Sequence, residues 1–486
     1  MSTNEIFERA RLSRDARFDG RFFTGVKTTG IYCRPICPAN TPKSENVVYY
    51  RTAAAASEAG FRPCLRCRPE SAPGTPAWAG TSTTVQRGLR LIAQGALDEG
   101  NLEHLAERLG VTSRHLRRLF NKHLGASPLA VAHTQRLHFA KNLIDQTSLS
   151  MREISVASGF RSVRRFNDTF KKTYGRTPGQ LRRRRDTNVA ASTFSVQLPY
   201  RRPFDWDRLL AFFAARATPL VESVHARRYL RTIEVGDDRG ILDVRDTGDH
   251  LLLSLHGIGT NALFSIVQRA RSLFDLDAST DEIARVLSAD PRLRTLLEDN
   301  PGVRVPGSWD GFELTVRAIL GQQVSVSAAT TLAGRVAERY GERINVPVDG
   351  LPQAPDRLFP QPQKLVRARL ENLGIIASRA RTIRSVARAV VDGTLSIDAA
   401  KSADEFCASF QAIKGIGEWT AQYVAMRALK NPDAFPASDL GLLRAFDLPE
   451  RLRMTPAELM NRAEAWQPWR AYAALLLWGS ENGAGG

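Results

Sequence analysis

The 486-residue sequence predicts a multidomain protein that is mainly α-helical and contains smaller α+β parts. Three observations indicate this fold class. The length suffices for three or four domains. Helical periodicity dominates residues 82–185 and the chain from about Arg304 onward, and alternating strand patterns such as Phe194–Leu198 lie between these parts. We therefore predict four domains, at residues 1–75, 82–185, 194–305 and 306–486.

Positive charge is concentrated at the front of the chain. The formal net charge is +18, and residues 1–190 hold 32 Lys and Arg against 15 Asp and Glu, whereas the remainder holds 36 against 35. A basic surface attracts a polyanion through counterion release, so the front half is expected to bind nucleic acid. The N-terminus is polar and no apolar run is long enough to span a bilayer. We expect a cytoplasmic protein without a membrane partner.

Four of the five cysteines form two pairs, Cys33/Cys37 and Cys64/Cys67. Their C-x3-C and C-x2-C spacings are typical of one tetrahedral Zn²⁺ site with four thiolate ligands, and metal-bound thiols fit a reducing compartment. Such closed sites are usually structural, so an inert zinc site that only folds this segment is one interpretation. The fifth, Cys407, lies among apolar helix positions and is expected to be a small buried hydrophobe.

The residues around the cysteines favour a second interpretation. The stretches Thr28–Cys37 (TTGIYCRPIC) and Gly60–Cys67 (GFRPCLRC) resemble the N-terminal domain of the Ada DNA methylphosphotriester repair proteins. The resemblance implies that Cys33 is both a zinc ligand and a nucleophile that accepts a methyl group irreversibly. It also implies DNA contacts by Thr29, Arg34 and Arg62. Methylation would remove one negative charge beside DNA and tighten binding.

Residues 82–185 carry two helix-turn-helix patterns, Leu102–Phe120 and Ile154–Asn167, the second closing at Phe170–Pro178. In the first, Gly110 ends one amphipathic helix, and Thr112 or Ser113 caps the next. The duplication resembles the AraC family of DNA-binding domains, which place two recognition helices in successive major grooves. This implies promoter DNA as a partner, and RNA polymerase as a further one. The side chains expected to contact DNA are Arg114, Arg117, Arg164 and Arg165.

The segment from residue 71 to 84 is small, polar and proline-bearing, which predicts a linker, and a second boundary follows the basic run Arg182–Arg185. After it, the pattern predicts a helix at 205–215 and strands near 229–235, 240–244 and 251–255. This part resembles the N-terminal domain of AlkA-type 3-methyladenine DNA glycosylases and offers no catalytic residues.

A helix-hairpin-helix pattern lies near the C-terminus. Gly415 and Gly417 separate two helical stretches, and Asp439 follows about twenty residues later within Phe435–Arg444. The glycines permit a tight turn, and the N-terminus of the second helix can bind a phosphate. A hairpin followed at this distance by an acid is typical of the helix-hairpin-helix DNA glycosylase superfamily. A helix-hairpin-helix motif would bind DNA without a large basic surface. Lys414, which immediately precedes Gly415, is expected to contact backbone phosphate.

Within that superfamily, residues 194–480 resemble AlkA, notably through Trp309–Val326 and Trp466–Tyr472. The resemblance implies hydrolysis of the N-glycosidic bond of alkylated purines such as 3-methyladenine and 7-methylguanine. Asp439 is then the catalytic carboxylate, which stabilises an oxocarbenium-like sugar or activates water. For a lone Asp at a helix start, a plain N-cap is the structural alternative.

The resemblance also assigns the base pocket. Trp419, Tyr423 and Trp478 match its aromatic positions, where a flipped cationic base would stack. Gln323 matches the wedge that fills the gap in the duplex, although AlkA itself has an apolar residue there. Strand-cleaving members use a lysine at the position of Trp419, so a monofunctional glycosylase is expected. A monovalent cation would bind the main-chain carbonyls of Gln411, Ile413 and Gly415.

Two functional hypotheses follow from the sequence. In the first, one chain senses methylphosphotriesters, activates promoters of the alkylation response and excises damaged bases. In the second, the chain is a transcriptional regulator whose rear domain is inactive and only binds DNA. No Pro-Cys-His-Arg segment occurs, so the O6-methylguanine transferase half of full-length Ada is absent from this sequence.

Overall fold

A computed structural model describes residues 2–72, 83–97, 101–182, 193–348, 354–397, 402–446 and 454–481. The helices are α1 (Thr3–Leu12), α2 (Ala53–Glu58), α3 (Thr83–Ala93), α4 (Leu102–Arg108), α5 (Ser113–Leu124), α6 (Pro128–Gln146), α7 (Met151–Ala157), α8 (Val163–Tyr174), α9 (Pro178–Leu181), α10 (Trp206–Arg216), α11 (Leu263–Leu273), α12 (Thr280–Leu287), α13 (Pro291–Asp299), α14 (Gly311–Leu320), α15 (Val326–Tyr340), α16 (Pro362–Leu365), α17 (Ala377–Val391), α18 (Ala403–Gln411), α19 (Glu418–Arg427), α20 (Leu440–Arg444), α21 (Pro456–Ala463) and α22 (Arg470–Glu481). The strands are β1 (Phe23–Val26), β2 (Ile31–Cys33), β3 (Val47–Tyr50), β4 (Arg62–Pro63), β5 (Thr193–Pro199), β6 (Glu222–His225), β7 (Arg228–Val235), β8 (Asp238–Asp246) and β9 (His250–His256). The predicted fold class, mainly helical with α+β parts, is confirmed.

The chain divides into two compact units. The first contains Met1–Arg201, Thr247–Ser254 and Ile258–Gln268, and the second contains Arg202–Asp246, Leu255–Gly257 and Arg269–Gly486. Residues 73–82 of the predicted linker, and residues 183–185 of the basic run, lie outside the described residues.

The first unit begins with a small four-stranded sheet of order β3–β1–β2–β4. Strands β1, β2 and β3 pair antiparallel, and β4 joins β2 in parallel, with Tyr32 opposite Pro63. Phe23, Tyr32, Ala53 and Ala56 form a buried cluster between this sheet and α2. The parallel β2/β4 pair fixes the two cysteine-bearing segments side by side, which positions the metal site.

The helix-turn-helix pairs are α4/α5 and α7/α8, separated by the 19-residue α6. Thr112 and Ser162 cap α5 and α8 by accepting bonds from backbone N–H groups three residues on, at 3.2 Å in each helix. Both helices have 12 residues and end at a left-handed glycine, Gly125 or Gly175. The two predicted helix-turn-helix units therefore match in the capping and in the length of their second helices. The capping residue in the first unit is Thr112.

Zinc-site and helix-turn-helix segments of the first unit share buried contacts. Ala54 and Ala55 of α2 belong to the same apolar cluster as Leu116 and Phe120 of α5. The hydroxyl of Tyr32 and Nε2 of His138, on α6, lie 2.9 Å apart. Burial lowers the pKa of His138 to about 4, so this ring is neutral at physiological pH.

In the second unit, strands β6, β7 and β8 pair antiparallel, with Leu230 opposite both Ser223 and Asp243. Helix α10 packs on β6 and β7. Within this unit the strands are adjacent in the order β8–β7–β6. The predicted helix and three strands are present within one or two residues of their expected bounds. Strand β6 has no counterpart in the prediction, because its short sequence ESVH lacks apolar alternation.

The helices α14 to α22 complete the second unit. α14 is buried along nearly its whole length and packs on α15, α17 and α19. α20 packs on α22. This arrangement brings the hairpin between α18 and α19, the start of α20 and the last turns of α22 to one region.

Candidate metal centre and candidate active site

The four cysteines of the two pairs converge at the ends of β2 and β4. Cys33 ends β2, and Cys37 follows a turn in which its N–H bonds the carbonyl of Arg34 at 3.1 Å. Cys64 follows β4, and its N–H bonds the carbonyl of Tyr32 at 3.0 Å. The four Sγ atoms lie within 4.8 Å of one another.

This donor set fits a zinc ion. Tetrahedral Zn–S bonds of about 2.3 Å place the sulfurs about 3.8 Å apart. Cys64 and Cys67 are buried, whereas Cys33 and Cys37 are partly exposed. The N–H of Arg34 also bonds Sγ of Cys67 at 3.3 Å, an interaction that stabilises a thiolate. Cys33 and Cys37 are therefore the two cysteines of this set that are not fully buried.

The three residues predicted to contact DNA near this centre have different surroundings. Thr29 and Arg62 are exposed, and an Arg62 guanidinium nitrogen lies against Gly175 at the end of α8. Arg34 is only 13% exposed and forms a salt bridge with Asp19. It also donates to the carbonyl of Cys67 at 3.0 Å. The Arg34 side chain thus braces the metal loop.

The predicted helix-turn-helix contacts lie in the first two turns of α5 and the first turn of α8. All four are exposed, and they are Arg114, Arg117, Arg164 and Arg165. Their backbone positions follow directly from the Thr112 and Ser162 caps. A basic first turn exposed on each second helix is the arrangement that contacts major-groove bases and phosphates in helix-turn-helix proteins.

The predicted hairpin joins α18 to α19. Gly415 has φ +97°, and a Cβ there would lie 2.1 Å from Oγ1 of Thr382, so only glycine fits. Gly417 is the N-cap of α19, is exposed and would have open space around a Cβ. Lys414 is exposed as well, and Thr382 Oγ1 donates to its carbonyl at 3.1 Å. The Gly417 cap makes no side-chain hydrogen bond, and the first N–H groups of an α-helix have no acceptor within the helix, so an anion could bind them.

A residue that the sequence interpretation missed holds this hairpin. Gln322 donates from Nε2 to the carbonyl of Gly415 and to Oγ1 of Thr420, both at 3.1 Å. The backbone carbonyl of Gln322 accepts a hydrogen bond from the guanidinium of Arg379 on α17. The next residue, Gln323, is exposed and has the left-handed φ of +54°. The predicted wedge therefore sits at a braced, exposed turn next to the hairpin, followed by the exposed Val324.

Asp439 is the N-cap of α20, and its carboxylate is partly exposed. Oδ1 accepts from the N–H groups of Gly441 at 2.9 Å and Leu442 at 3.1 Å. Two indole N–H groups also reach it: Trp478 donates to Oδ1 at 2.8 Å and Trp419 to Oδ2 at 2.7 Å. Asp439 is therefore an N-cap, as the structural alternative expects, and two indoles also hold its carboxylate. Its catalytic role stays a prediction.

Aromatic rings surround this carboxylate. The rings of Trp419 and Tyr423 are parallel within 8°, with centroids 5.1 Å apart, and Trp478 meets Tyr423 edge-on at 6.5 Å. All three are partly exposed. The predicted base-pocket aromatics therefore come together with Asp439, whereas Gln323 lies on the separate turn described above.

Two further residues contact this aromatic cluster and were not predicted from the sequence. Arg427 donates to the hydroxyl of Tyr423 at 2.7 Å, and its guanidinium lies 4.9 Å from the ring centre of Phe212 on α10. The spacing Trp419, Tyr423, Arg427 is i, i+4, i+8 and places all three on one face of α19, a signal that could have found Arg427. Phe212 comes from a distant segment, and no local pattern identifies it.

Cys407 is buried in α18, where burial raises the pKa of its thiol to about 11. This confirms its expected position as a buried small side chain. Among the described residues, the metal-ligand cluster is Cys33, Cys37, Cys64 and Cys67. Within the same part of the chain, each helix is too short or too polar to cross a membrane.

Four family models match the chain in succession. The metal-binding domain of Ada matches residues 7–70, and a helix-turn-helix domain matches residues 105–184. The AlkA N-terminal domain matches residues 195–310, and the HhH-GPD superfamily of base excision DNA repair proteins matches residues 316–471.

Relatives match across the same span. The "probable bifunctional transcriptional activator/DNA repair enzyme AlkA" of Mycobacterium tuberculosis is 40% identical over 478 residues, which cover 97% of this chain and 95% of that protein. The DNA-3-methyladenine glycosylase 2 of Escherichia coli is 36% identical over 292 residues, or 59% of this chain and 97% of that protein. The structure of a 3-methyladenine DNA-glycosylase from Archaeoglobus fulgidus aligns with a TM-score of 0.52 at 20% identity, covering 60% of this chain and 99% of that one. The last likeness shows the fold alone.

The fold and sites thus define a DNA-binding protein in which a zinc-binding regulator half precedes a helix-hairpin-helix base excision repair half. The chain belongs to the family of bifunctional transcriptional activators and DNA repair enzymes of the AlkA type. The predicted resemblances to the Ada, AraC and AlkA families are confirmed.

Proposed function

We propose that the second unit is a monofunctional DNA glycosylase that hydrolyses the N-glycosidic bond of 3-methyladenine, 7-methylguanine and similar alkylated purines. The observation that carries the proposal is the carboxylate of Asp439, held by the indoles of Trp419 and Trp478 beside the partly exposed ring of Tyr423. A carboxylate of this kind stabilises positive charge on a deoxyribose, and the rings bind the flipped base.

The steps follow from the charges of the substrate. An alkylated purine is cationic, so it departs with the electron pair of the C1′–N bond as a neutral base and needs no general acid. Asp439 stabilises the oxocarbenium-like sugar that remains and orients the water that attacks it. Trp419 occupies the position at which strand-cleaving relatives would need a lysine, so no Schiff base forms.

The contacts to DNA surround this centre. The hairpin amides of Gly415 and Gly417, together with Lys414, bind backbone phosphate, and Gln323 enters the gap left by the flipped base. A monovalent cation would bind the carbonyls of Gln411, Ile413 and Gly415. Two of these also accept protein bonds, from Ile416 N–H at 3.0 Å and Gln322 Nε2 at 3.1 Å. Each carbonyl retains a second lone pair, so the set fits a weakly bound ion.

In the first unit, Cys33 would accept a methyl group from a DNA methylphosphotriester. Zinc held by the four cysteines would keep the Cys33 sulfur deprotonated. Cys33 then forms a C–S bond as the O–CH3 bond breaks, and the phosphate oxygen retains the electron pair. The reaction consumes the cysteine, and it leaves a neutral thioether that lowers repulsion from DNA.

The four recognition-helix arginines would then hold promoter DNA, with RNA polymerase as the partner in activation. We assign these tasks to four domains at residues 1–75, 82–185, 194–305 and 306–486. We propose that the protein is cytoplasmic, because metal-bound thiols fit a reducing compartment.

Base release from a 7-methylguanine duplex tests the glycosylase. The intact protein should release the base, and Asp439→Asn should lower the single-turnover rate about 100-fold or more. The matched control is Asp290→Asn, because Asp290 is also an N-cap carboxylate with an indole donor, Trp466 at 3.2 Å. If the intact protein releases no base, the regulator with an inactive rear domain is the correct reading.

Mass spectrometry tests the methyl acceptor. Zinc-loaded protein incubated with methylphosphotriester DNA should gain one methyl group, located on Cys33. A methyl group on Cys37, the other partly exposed ligand, or no methylation at all would refute the assignment.

A further inference from the structure

The hydroxyl group of Tyr423 has an unusual environment. Its hydroxyl oxygen accepts a 2.7 Å hydrogen bond from Nη1 of Arg427. A guanidinium only donates, so it offers no acceptor for the phenolic hydrogen. No acceptor for that hydrogen exists among the described residues. A phenol with a cationic donor and no acceptor is better suited to the ionised state than to the neutral one.

Arg427 is itself a buried cation, 4% exposed, without a carboxylate partner in the described part of the chain. Its other bonds go to the carbonyls of Pro306 and Gly307, both at 2.9 Å. Burying a charge without an opposite charge is costly. A negative charge on the oxygen of Tyr423 would remove that cost.

Arg216 and Arg317 also act on Tyr423 electrostatically, and of these two only Arg317 has a carboxylate partner among the described residues. Arg216 of α10 lies 4.0 Å from the ring centre of Phe212 and pairs with no carboxylate among the described residues. Arg317 of α14 is a third cation, but it is neutralised by Glu222 at 2.8 Å and Glu313 at 3.0 Å. Asp439, the carboxylate of the proposed site, is bonded to the two tryptophans whose rings contact Tyr423.

We propose that Tyr423 is the counter-ion of the base pocket: it binds a cationic base as tyrosinate, with Arg427 and Arg216 holding the charged oxygen. This inference rests on the proposed glycosylase function and adds a basis for choosing cationic over neutral bases. A negatively charged ring attracts a stacked cation far more strongly than a phenol whose oxygen is bonded to an arginine.

Tyr423 loses its proton when the base binds and regains it after the base has left the sugar. As the cationic base stacks, the O–H bond of Tyr423 breaks, the electron pair stays on the oxygen, and water carries the proton away. The base leaves the sugar as a neutral molecule, and tyrosinate then regains a proton from water. By linkage, a cationic base lowers the proton affinity of Tyr423, and ionised Tyr423 raises the affinity for that base by the same factor.

The electrostatics of the free protein agree with this geometry. Burial alone would raise the pKa of Tyr423, but the charges of Arg427 and Arg216 outweigh it and lower the pKa below that of an ordinary tyrosine. Tyr472 is the opposite case. Its hydroxyl donates to Asp275 at 2.8 Å, and burial together with that carboxylate raises its pKa well above the usual value.

Spectroscopic titration of the full zinc-loaded chain tests the proposal directly, because tyrosinate absorbs at longer wavelength than phenol. The lowest-titrating tyrosine should disappear in Tyr423→Phe, persist in the control Tyr472→Phe and move to higher pH in Arg427→Gln. If the lowest titration persists in Tyr423→Phe, the proposal is wrong.

The second readout is selectivity. Single-turnover release of 3-methyladenine, which is cationic in DNA, is compared with release of the neutral 1,N6-ethenoadenine from neutral to alkaline pH. The ratio of the two rates should rise with pH along the Tyr423 titration, and the rise should shift upward in Arg427→Gln. A ratio independent of pH in the intact protein overturns the proposal while leaving the glycosylase intact. Absence of base release from both duplexes instead refutes the proposed function, and the titration still decides the charge state of Tyr423.

Discussion

The indole N–H of Trp419 donates a 2.7 Å hydrogen bond to Oδ2 of Asp439, although the two residues belong to different helices. The same indole ring stacks on Tyr423. In the proposed reaction, this one side chain would therefore fix the carboxylate beside the sugar and also lie next to the flipped base. If the proposal is correct, the position of the reacting bond relative to the base depends on Trp419.

Replacing Trp419 with Phe should keep the aromatic face and remove the donor. A hydrogen bond to a charged group contributes about 1.5–3 kcal/mol, so we expect base release to slow about 10- to 100-fold while duplex binding changes little. Single-turnover rates and binding constants measured on one duplex would check this. The matched control, Trp466→Phe, removes the equivalent donor to Asp290 and should alter stability but not the rate.

Substitution of the two hairpin glycines should have opposite outcomes. Gly415→Ala adds a Cβ 2.1 Å from Thr382 Oγ1 at a φ of +97°, so it should destabilise the fold by about 2 kcal/mol or more and weaken DNA binding. Gly417→Ala meets open space at an ordinary φ and should be tolerated. Thermal unfolding and duplex binding would separate the two, and equal effects would refute the assigned geometry.

The turn at Gln323 should show a trade-off between stability and activity. Gln323→Gly relieves a left-handed residue and should stabilise the chain by about 1 kcal/mol. It should also slow base release, because the side chain proposed to enter the duplex is lost. Leu220→Gly is the control, since Leu220 is likewise exposed with φ +68° but lies outside the hairpin and pocket. It should gain stability without losing activity.

Removal of the metal should affect the first unit. Cys64→Ser deletes a buried ligand, so the protein should lose bound zinc and the sheet that carries β2 and β4 should unfold. Elemental analysis and proteolysis of the first unit would measure this. Cys407→Ser changes a buried cysteine far from the cluster in sequence and should retain zinc. Full zinc occupancy in Cys64→Ser would contradict the four-ligand site.

Much of the fold and part of each site could be predicted from the sequence for definite physical reasons. A tetrahedral metal demands cysteines at fixed spacings, so the pairs at residues 33/37 and 64/67 were recognisable. Capped amphipathic helices and the glycine hairpin are also encoded locally. The carboxylate of Asp439 was identifiable by its distance from the hairpin, although the indole bonds that fix it were not.

The residues that were missed act across the fold. Phe212 reaches the pocket from α10, and Gln322 braces the hairpin from the end of α14, so neither belongs to a local motif. Arg427 shares a helix face with Trp419 and Tyr423, but its partners at Pro306 and Gly307 lie far away in the sequence. Convergence of this kind depends on tertiary packing, which a local pattern does not report.

The bond between Tyr32 and His138 has a consequence for how the regulator half behaves. Tyr32 immediately precedes the proposed methyl acceptor, and His138 lies midway along the helix between the two DNA-reading pairs. Together with the shared apolar cluster, this bond would keep both pieces associated after the chain is cut between residues 72 and 83. The proposed methyl acceptor and the helix-turn-helix pairs would then stay together. Methylation of Cys33 in the cleaved protein should still change its affinity for promoter DNA.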